Sequence, residues 1–291
     1  MFGFLLTSGI AVGSLYALIA LSIVILYKAS SVVSFAHGEQ MMLAGYFIYA
    51  FHVIANIGYA PAAVLAVAGA AGLGVLTFYA GFRPLIGQSM MSILIAPPGI
   101  PFIMRGVARF FGGGSGEYPA LPPVASPMPI EFASVAILPQ QLVVVVATVC
   151  ILVAFSLFFS YTRMGKWMQA TAGNMKTARL VGIPVERVLL TTFALAGGIS
   201  GAAAVLMAPL TMIYPDMGFL LFLKGFAAAI LGGLASLRGA VIGGLVLGLI
   251  EQFGAGYVHT GLQELSAFLV IMIMLVIKPQ GLLGGPAARR V

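Results

Sequence analysis

Apolar runs of about twenty residues follow one another along this chain, each nearly free of charge. A run of that length, wound as a helix, crosses the ~30 Å hydrocarbon core of a bilayer. Nine such runs can be marked, at residues 4–26, 34–55, 60–82, 90–108, 139–160, 188–208, 218–234, 238–257 and 262–278. Charged residues make up only 7% of the chain, against about 25% in a soluble domain. Alternating segments of about ten residues, the mark of a membrane barrel, are absent. The chain therefore reads as an all-α polytopic membrane protein with about eight to nine transmembrane or re-entrant helices in a single transmembrane domain over 1–291.

One loop orients the rest. Residues 161–187 hold Arg163, Lys166, Lys176, Arg179 and Arg187 against a single acid, Glu186. Basic loops between membrane segments stay on the cytoplasmic side. Threading the segments outward from this loop puts the N-terminus outside and the C-terminus in the cytoplasm. Lys28, Arg83, Arg238, Lys278, Arg289 and Arg290 then also fall inside, while Arg105 and Arg109 fall outside. The Gly- and Pro-rich residues 109–138 become one large external loop. The first charge is Lys28, so the basic opening of a cleaved signal is lacking, and the first segment is expected to remain as a helix. Cys150 is alone, which excludes an internal disulfide.

The basic loop contains a helical pattern from Met168 to Leu180, with Gly173 as its weak point. Gly182 stands where a C-cap glycine belongs, and Pro184 stops the pattern. A solvated topology signal and a docking helix for a soluble partner both fit these residues.

Polar residues inside apolar runs need partners, because a charge at mid-membrane costs about 2.5–3.5 kcal/mol on insertion scales. Lys224 and Glu251 lie in the outer halves of adjacent antiparallel segments, so a structural ion pair between them is expected. His37 and Glu39 open the second segment. Either both reach back to water at the cytoplasmic interface, or Gly38 breaks the helix and the three line a pathway. The fourth segment carries Ala96-Pro97-Pro98-Gly99-Ile100-Pro101, too many prolines for a regular helix, so it is kinked or re-entrant. Gly197 and Gly201, Gly239 and Gly243, and Gly244 and Gly248 are each four apart, a spacing that brings helix backbones together.

Catalytic signatures are missing. The sequence has neither the G-x-x-x-x-G-K-[ST] phosphate loop nor H-E-x-x-H. Gly113-Gly114-Ser115-Gly116 matches the G-x-S-G pattern of some intramembrane serine proteases, but it lies in a Gly-rich external loop and not at a helix start in the membrane, so it reads as a turn. Neither an enzyme activity nor a bound cofactor or metal is expected. A stand-alone ion-coupled carrier, with Glu39 or Glu251 as the ion site, is the alternative class.

Five stretches together resemble one family. SFAHGEQMMLAGY (34–46), ATAGNMKTARLVGI (170–183), FALAGGISGAAAVLMAP (193–209), KGFAAAILGGLASLRGAVIGGLVLGLIE (224–251) and KPQGLLG (278–284) are similar, in order, to the branched-chain amino acid permeases of bacterial ABC importers, closest to the H-type subunit. The resemblance implies a multi-pass permease of the bacterial inner membrane for branched-chain or other hydrophobic amino acids. Its partners would be two cytoplasmic ABC ATPase subunits, a second related permease and a periplasmic substrate-binding protein. It also implies that 161–187 is the ATPase-coupling loop, with Ala172, Asn174, Ala178, Leu180, Gly182 and Ile183 as the matching positions. His37, Gly38, Glu39, Gly232 and Gly233 are the candidate pathway residues. The same family includes urea and short-amide permeases, which remain an alternative. The segment after Arg83-Pro84 is shorter than the family's pattern and proline-rich where that pattern is plainly apolar.

Overall fold

The computed structural model describes residues 1–30, 33–85, 99–112, 118–126, 128–132 and 135–284. Nearly all of the described chain is helical. The helices are α1 (Phe2–Ser30), α2 (Ala36–Tyr49), α3 (Tyr59–Thr77), α4 (Gly99–Gly112), α5 (Pro139–Tyr161), α6 (Arg163–Gly173), α7 (Met175–Leu180), α8 (Val185–Met207), α9 (Met217–Gly232), α10 (Leu237–Tyr257) and α11 (Leu262–Ile277). A π turn extends α2 over Ala50–Ile54, and another extends α3 over Phe78–Phe82. Among the described residues, five helices are long and apolar enough to cross a membrane: α1, α3 with its extension, α5, α8 and α10. The apolar helices α9 and α11 have 16 residues each. All nine sequence segments meet a helix.

The fourth segment meets one only from Gly99 onward, and Ala96 to Pro98 lie outside the described residues, as does Ser115. Pro101 falls in the first turn of α4, where no helical N–H is needed. With 14 residues α4 is about 21 Å long, too short to span by itself. Within 109–138, residues up to Gly112 finish α4, and Ile130–Phe132 pairs antiparallel with Val135–Ile137 in a two-stranded hairpin (β1, β2).

The chain packs as two compact units. One comprises Met1–Val24, Pro123–Thr148 and Leu221–Val291. In it α10 uses two glycine faces. Gly244 and Gly248 lie against Ala17 and Gly13 of α1, while Gly239 and Gly243 lie against Gly232 and Ala228 of α9. A Cβ at any of the four would meet backbone, so these helices approach as closely as backbones allow. Ser236 starts α10 by accepting from the Gly239 N–H at 3.0 Å.

The second unit comprises Ile25–Pro122 and Val149–Leu220. Its centre is α8 packed on α3 and α2. Gly197 and Gly201 of α8 face Ala70 of α3, and Gly74 of α3 faces the Phe193 carbonyl. Gln40 of α2 donates to Thr77 Oγ1 of α3 at 2.8 Å, a polar tie in an otherwise apolar contact. At one end Phe78, Phe82 and Phe193 cluster with Leu26, Ala29, Val185, Leu189 and Ala196.

Candidate functional site

The basic loop folds against that aromatic cluster. The single helix read from Met168 to Leu180 is instead two, α6 and α7, because the backbone turns extended at Asn174 (φ −158°, ψ 107°). Asn174, not Gly173, makes the break. Its side chain accepts from the Lys176 and Thr177 N–H groups at 3.0 and 3.1 Å, so the residue restarts the helix it interrupts. Thr162 caps α6 in the same way through Gly165. Helix α7 ends in a Schellman motif: the Ile183 N–H donates to the Ala178 carbonyl and the Gly182 N–H to that of Arg179, with Gly182 at φ +82°.

This geometry sorts the six motif positions. Ala178 is buried in the cluster and Ile183 packs against it. Asn174 is committed to its cap and Ala172 is half-buried. Leu180 and Gly182 are exposed. Beside them stand exposed Val181, Lys176 and Arg179, an apolar tip ringed by cations. Glu186 opens α8 and meets Arg83 at 2.6 Å, a half-exposed pair of small energetic weight.

The start of α2 departs from the interfacial reading of its charges and from a break at Gly38. The chain breaks before Ala36, so Gly38 is inside the helix and not at the break. His37 and Glu39 are buried, at 1% and 2% exposure, and do not reach interfacial water. The Glu39 carboxylate accepts from Arg105 Nη2 at 2.5 Å. Neither His37 ring nitrogen has a hydrogen-bond partner among the described residues.

Arg105 arrives there because α4 is amphipathic: Pro101, Met104, Arg105 and Ala108 form its inward stripe at helical spacing. The cation that threading left outside thus shares a depth with Glu39, and a buried carboxylate gains the counter-charge it needs. Asp216, just before α9, continues the row. It takes Arg109 Nη2 at 2.9 Å and lies 3.7 Å from Arg105 Nε. Gly218 sits directly on Glu39 and the Gly38 carbonyl, too close for any Cβ. No sequence pattern marked Asp216, since an acid in a Pro-rich turn is unremarkable until Arg109 and Arg105 close on it.

In the other unit Lys224 Nζ donates to Glu251 Oε1 at 2.8 Å. Tyr16, which no sequence reading singled out, completes the site. Its hydroxyl reaches the same carboxylate, and its ring lies 5.5 Å from Lys224 Nζ. Gly232 and Gly233 are surrounded by backbone. Gly232 meets Gly239, while Gly233, at φ +107°, receives Gly281 and Gly284 of the KPQGLLG stretch. That stretch is anchored by the Leu282 and Leu283 N–H groups donating to Leu231 and Gly232 at 2.8 and 3.0 Å. The two glycines have a packing role here. Among the described residues no three His, Cys, Asp or Glu side chains group to hold a metal ion.

Apolar spanning helices joined by buried ion pairs, with a capped, exposed basic loop, define a multi-pass helical membrane protein. The chain belongs to the family of branched-chain amino acid transport system permease components, which matches residues 5–278. It is 31% identical to the high-affinity branched-chain amino acid transport system permease protein LivH of Escherichia coli, over 98% of this chain and 96% of that one. It is 30% identical to the corresponding protein BraD of Pseudomonas aeruginosa, over 98% and 97%. Among solved structures it resembles PsaBC from Streptococcus pneumoniae in complex with Fab, with a TM-score of 0.51 over 95% of this chain and 91% of that one. At 14% identity that likeness concerns the fold.

Proposed function

We propose that this chain is a membrane-spanning subunit of an ATP-driven importer of branched-chain or other hydrophobic amino acids in a bacterial inner membrane. The observation that carries the reading is the match to LivH along nearly the whole chain. The chain does no ATP chemistry itself. Two cytoplasmic ABC ATPases hydrolyse ATP, a periplasmic binding protein delivers the solute, and a second related permease completes the passage. The N-terminus lies outside and the C-terminus inside, as the distribution of Lys and Arg favours.

In this reading 161–187 is the coupling loop. Leu180 and Val181 insert into an ATPase groove, and Lys176 and Arg179 meet its acidic rim. Ala178 and Ile183 transmit the movement because they bind α7 to the cluster at Phe78 and Phe193, and Asn174 holds the start of α7. His37, Gly38 and Glu39 stand beside the passage.

Affinity purification of the tagged chain in mild detergent, with subunits identified by mass spectrometry and leucine uptake measured in proteoliposomes, tests the reading. Two ATPases, a second permease and ATP-dependent leucine uptake are expected. Gradient-driven uptake by the purified chain alone would replace the reading with an ion-coupled carrier. Uptake of urea but not leucine would assign it to the amide branch.

A further inference from the structure

A pocket of about 270 Å³ opens between α2 and α4, lined mainly by Leu43, Tyr46, Phe47, Val107, Ala108 and Pro119. Its two helical walls, α2 and α4, also carry Glu39, Arg105 and Arg109. On α2, Glu39 lies one turn before Leu43, so acid and pocket follow one stripe. On α4, Ala108 is followed directly by Arg109. The third wall is tied to the Asp216 turn, since the Ile213 N–H donates to the Pro119 carbonyl at 2.9 Å and Ile213 packs on Gly45.

The four charges of the row differ in how firmly they are held. Glu39 is buried and Arg105 mostly so, and they hold each other. Arg109 and Asp216 are 61% and 55% exposed, and their pairing is open to exchange. An apolar pocket beside an accessible pair of opposite charges suits a zwitterion that carries an apolar side chain. Such a solute replaces one ion pair by two and leaves no charge uncompensated.

We infer that this is a solute subsite. The ammonium group of an α-amino acid goes to Asp216, its carboxylate to Arg109, and its side chain into the pocket, while Glu39 and Arg105 hold α2 and α4 together beneath it. The inference rests on the importer reading and adds to it the residues that touch the solute.

The test uses the complete importer in proteoliposomes with labelled leucine and labelled alanine. Val107→Trp fills the pocket from an exposed position on α4. It is expected to lower leucine uptake at least tenfold and to raise the alanine-to-leucine ratio at least fivefold, with subunit assembly unchanged. Arg109→Asp and Asp216→Arg each lose uptake tenfold or more. The combined swap restores the ion pair and assembly but not leucine uptake, because the solute would have to bind reversed with its side chain out of the pocket.

Leucine uptake recovered by the swap overturns the inference, since a purely structural pair needs only opposite charges. An unchanged alanine-to-leucine ratio in Val107→Trp also overturns it. If that variant loses co-purified phospholipid, the pocket belongs to an acyl chain, and if it loses the second permease, to that subunit. These results leave the importer reading standing. Absence of ATP-dependent leucine uptake by the unaltered importer, or gradient-driven uptake by the purified chain alone, defeats that reading itself.

Discussion

The Tyr16 hydroxyl donates to both carboxylate oxygens of Glu251, at 2.9 and 3.1 Å, from 235 residues away in the chain. With Lys224 on Oε1, both carboxylate oxygens have a partner inside an apolar unit. Tyr16→Phe removes one of these partners and is expected to cost about 0.6 kcal/mol, the average for hydrogen bonds between membrane helices, and at most about 1.7 kcal/mol. A lowered midpoint of thermal aggregation in detergent is the readout. Glu251→Leu strands Lys224 and is expected to cut the amount of protein in membranes severalfold, whereas Glu251→Leu with Lys224→Met restores it. Equal immunoblot signals from the single and double variants would show that Lys224 does not depend on the carboxylate.

Glu39 and Arg105 join α2 to α4 in the other unit. Arg105→Met leaves a buried carboxylate without its cation, at a cost of about 3–5 kcal/mol. Most of that is expected to return when Glu39→Gln is added, because the amide carries no charge to strand. Membrane abundance and the thermal midpoint of the three variants report the result, and a double variant as unstable as the single one would contradict the buried pair.

Gly74 lies so close to the Phe193 carbonyl that a Cβ there meets backbone and not a movable side chain. Gly74→Val must push α3 and α8 apart, at a cost of about 1–3 kcal/mol from overpacking. Gly72, on the same helix, has nothing within 4 Å of a Cβ, and Gly72→Val serves as the control. The two variants are compared by thermal aggregation in detergent. A loss at Gly72 equal to that at Gly74 would point to helix propensity in place of close contact.

The exposed tip of the basic loop separates coupling from folding. Leu180→Asp alters a side chain that is 86% exposed, and it is expected to lower ATP-dependent leucine uptake at least tenfold at normal abundance. Ala178→Asp places a carboxylate in the cluster of Leu189 and Phe193 and is expected to lower abundance itself. Gly182→Ala costs about 1–2 kcal/mol at its left-handed backbone and falls between the two. Uptake per unit of membrane protein distinguishes them.

Helix ends were readable where local chemistry sets them. The Gly182 cap acts within one turn of its own residue, so the sequence shows it directly, whereas Pro101 read as an interruption and the structure makes it a first-turn residue. Asn174 was legible in principle, since Asn before a new helical run is a strong N-cap, but the run on either side looked continuous. The Lys224–Glu251 pair followed from cost alone: two charges in adjacent apolar segments need each other. The Arg105–Glu39 pair was not legible, because it depends at once on the depth at which α2 begins and on the rotation of α4.

Run length and scarcity of charge, by themselves, determined that this chain crosses a bilayer many times and placed its five long apolar helices to within a few residues. A bilayer imposes its thickness on every helix separately, so that much is a one-dimensional property. Tertiary structure alone decided which helix faces meet. It turned Arg105 onto Glu39, brought Tyr16 to Glu251, closed Asp216 on Arg109 and divided the loop positions into buried Ala178 and exposed Leu180. Those pairings depend on the rotation and depth of two helices at once, which close backbone packing at Gly74, Gly218 and Gly244 sets and no single segment encodes.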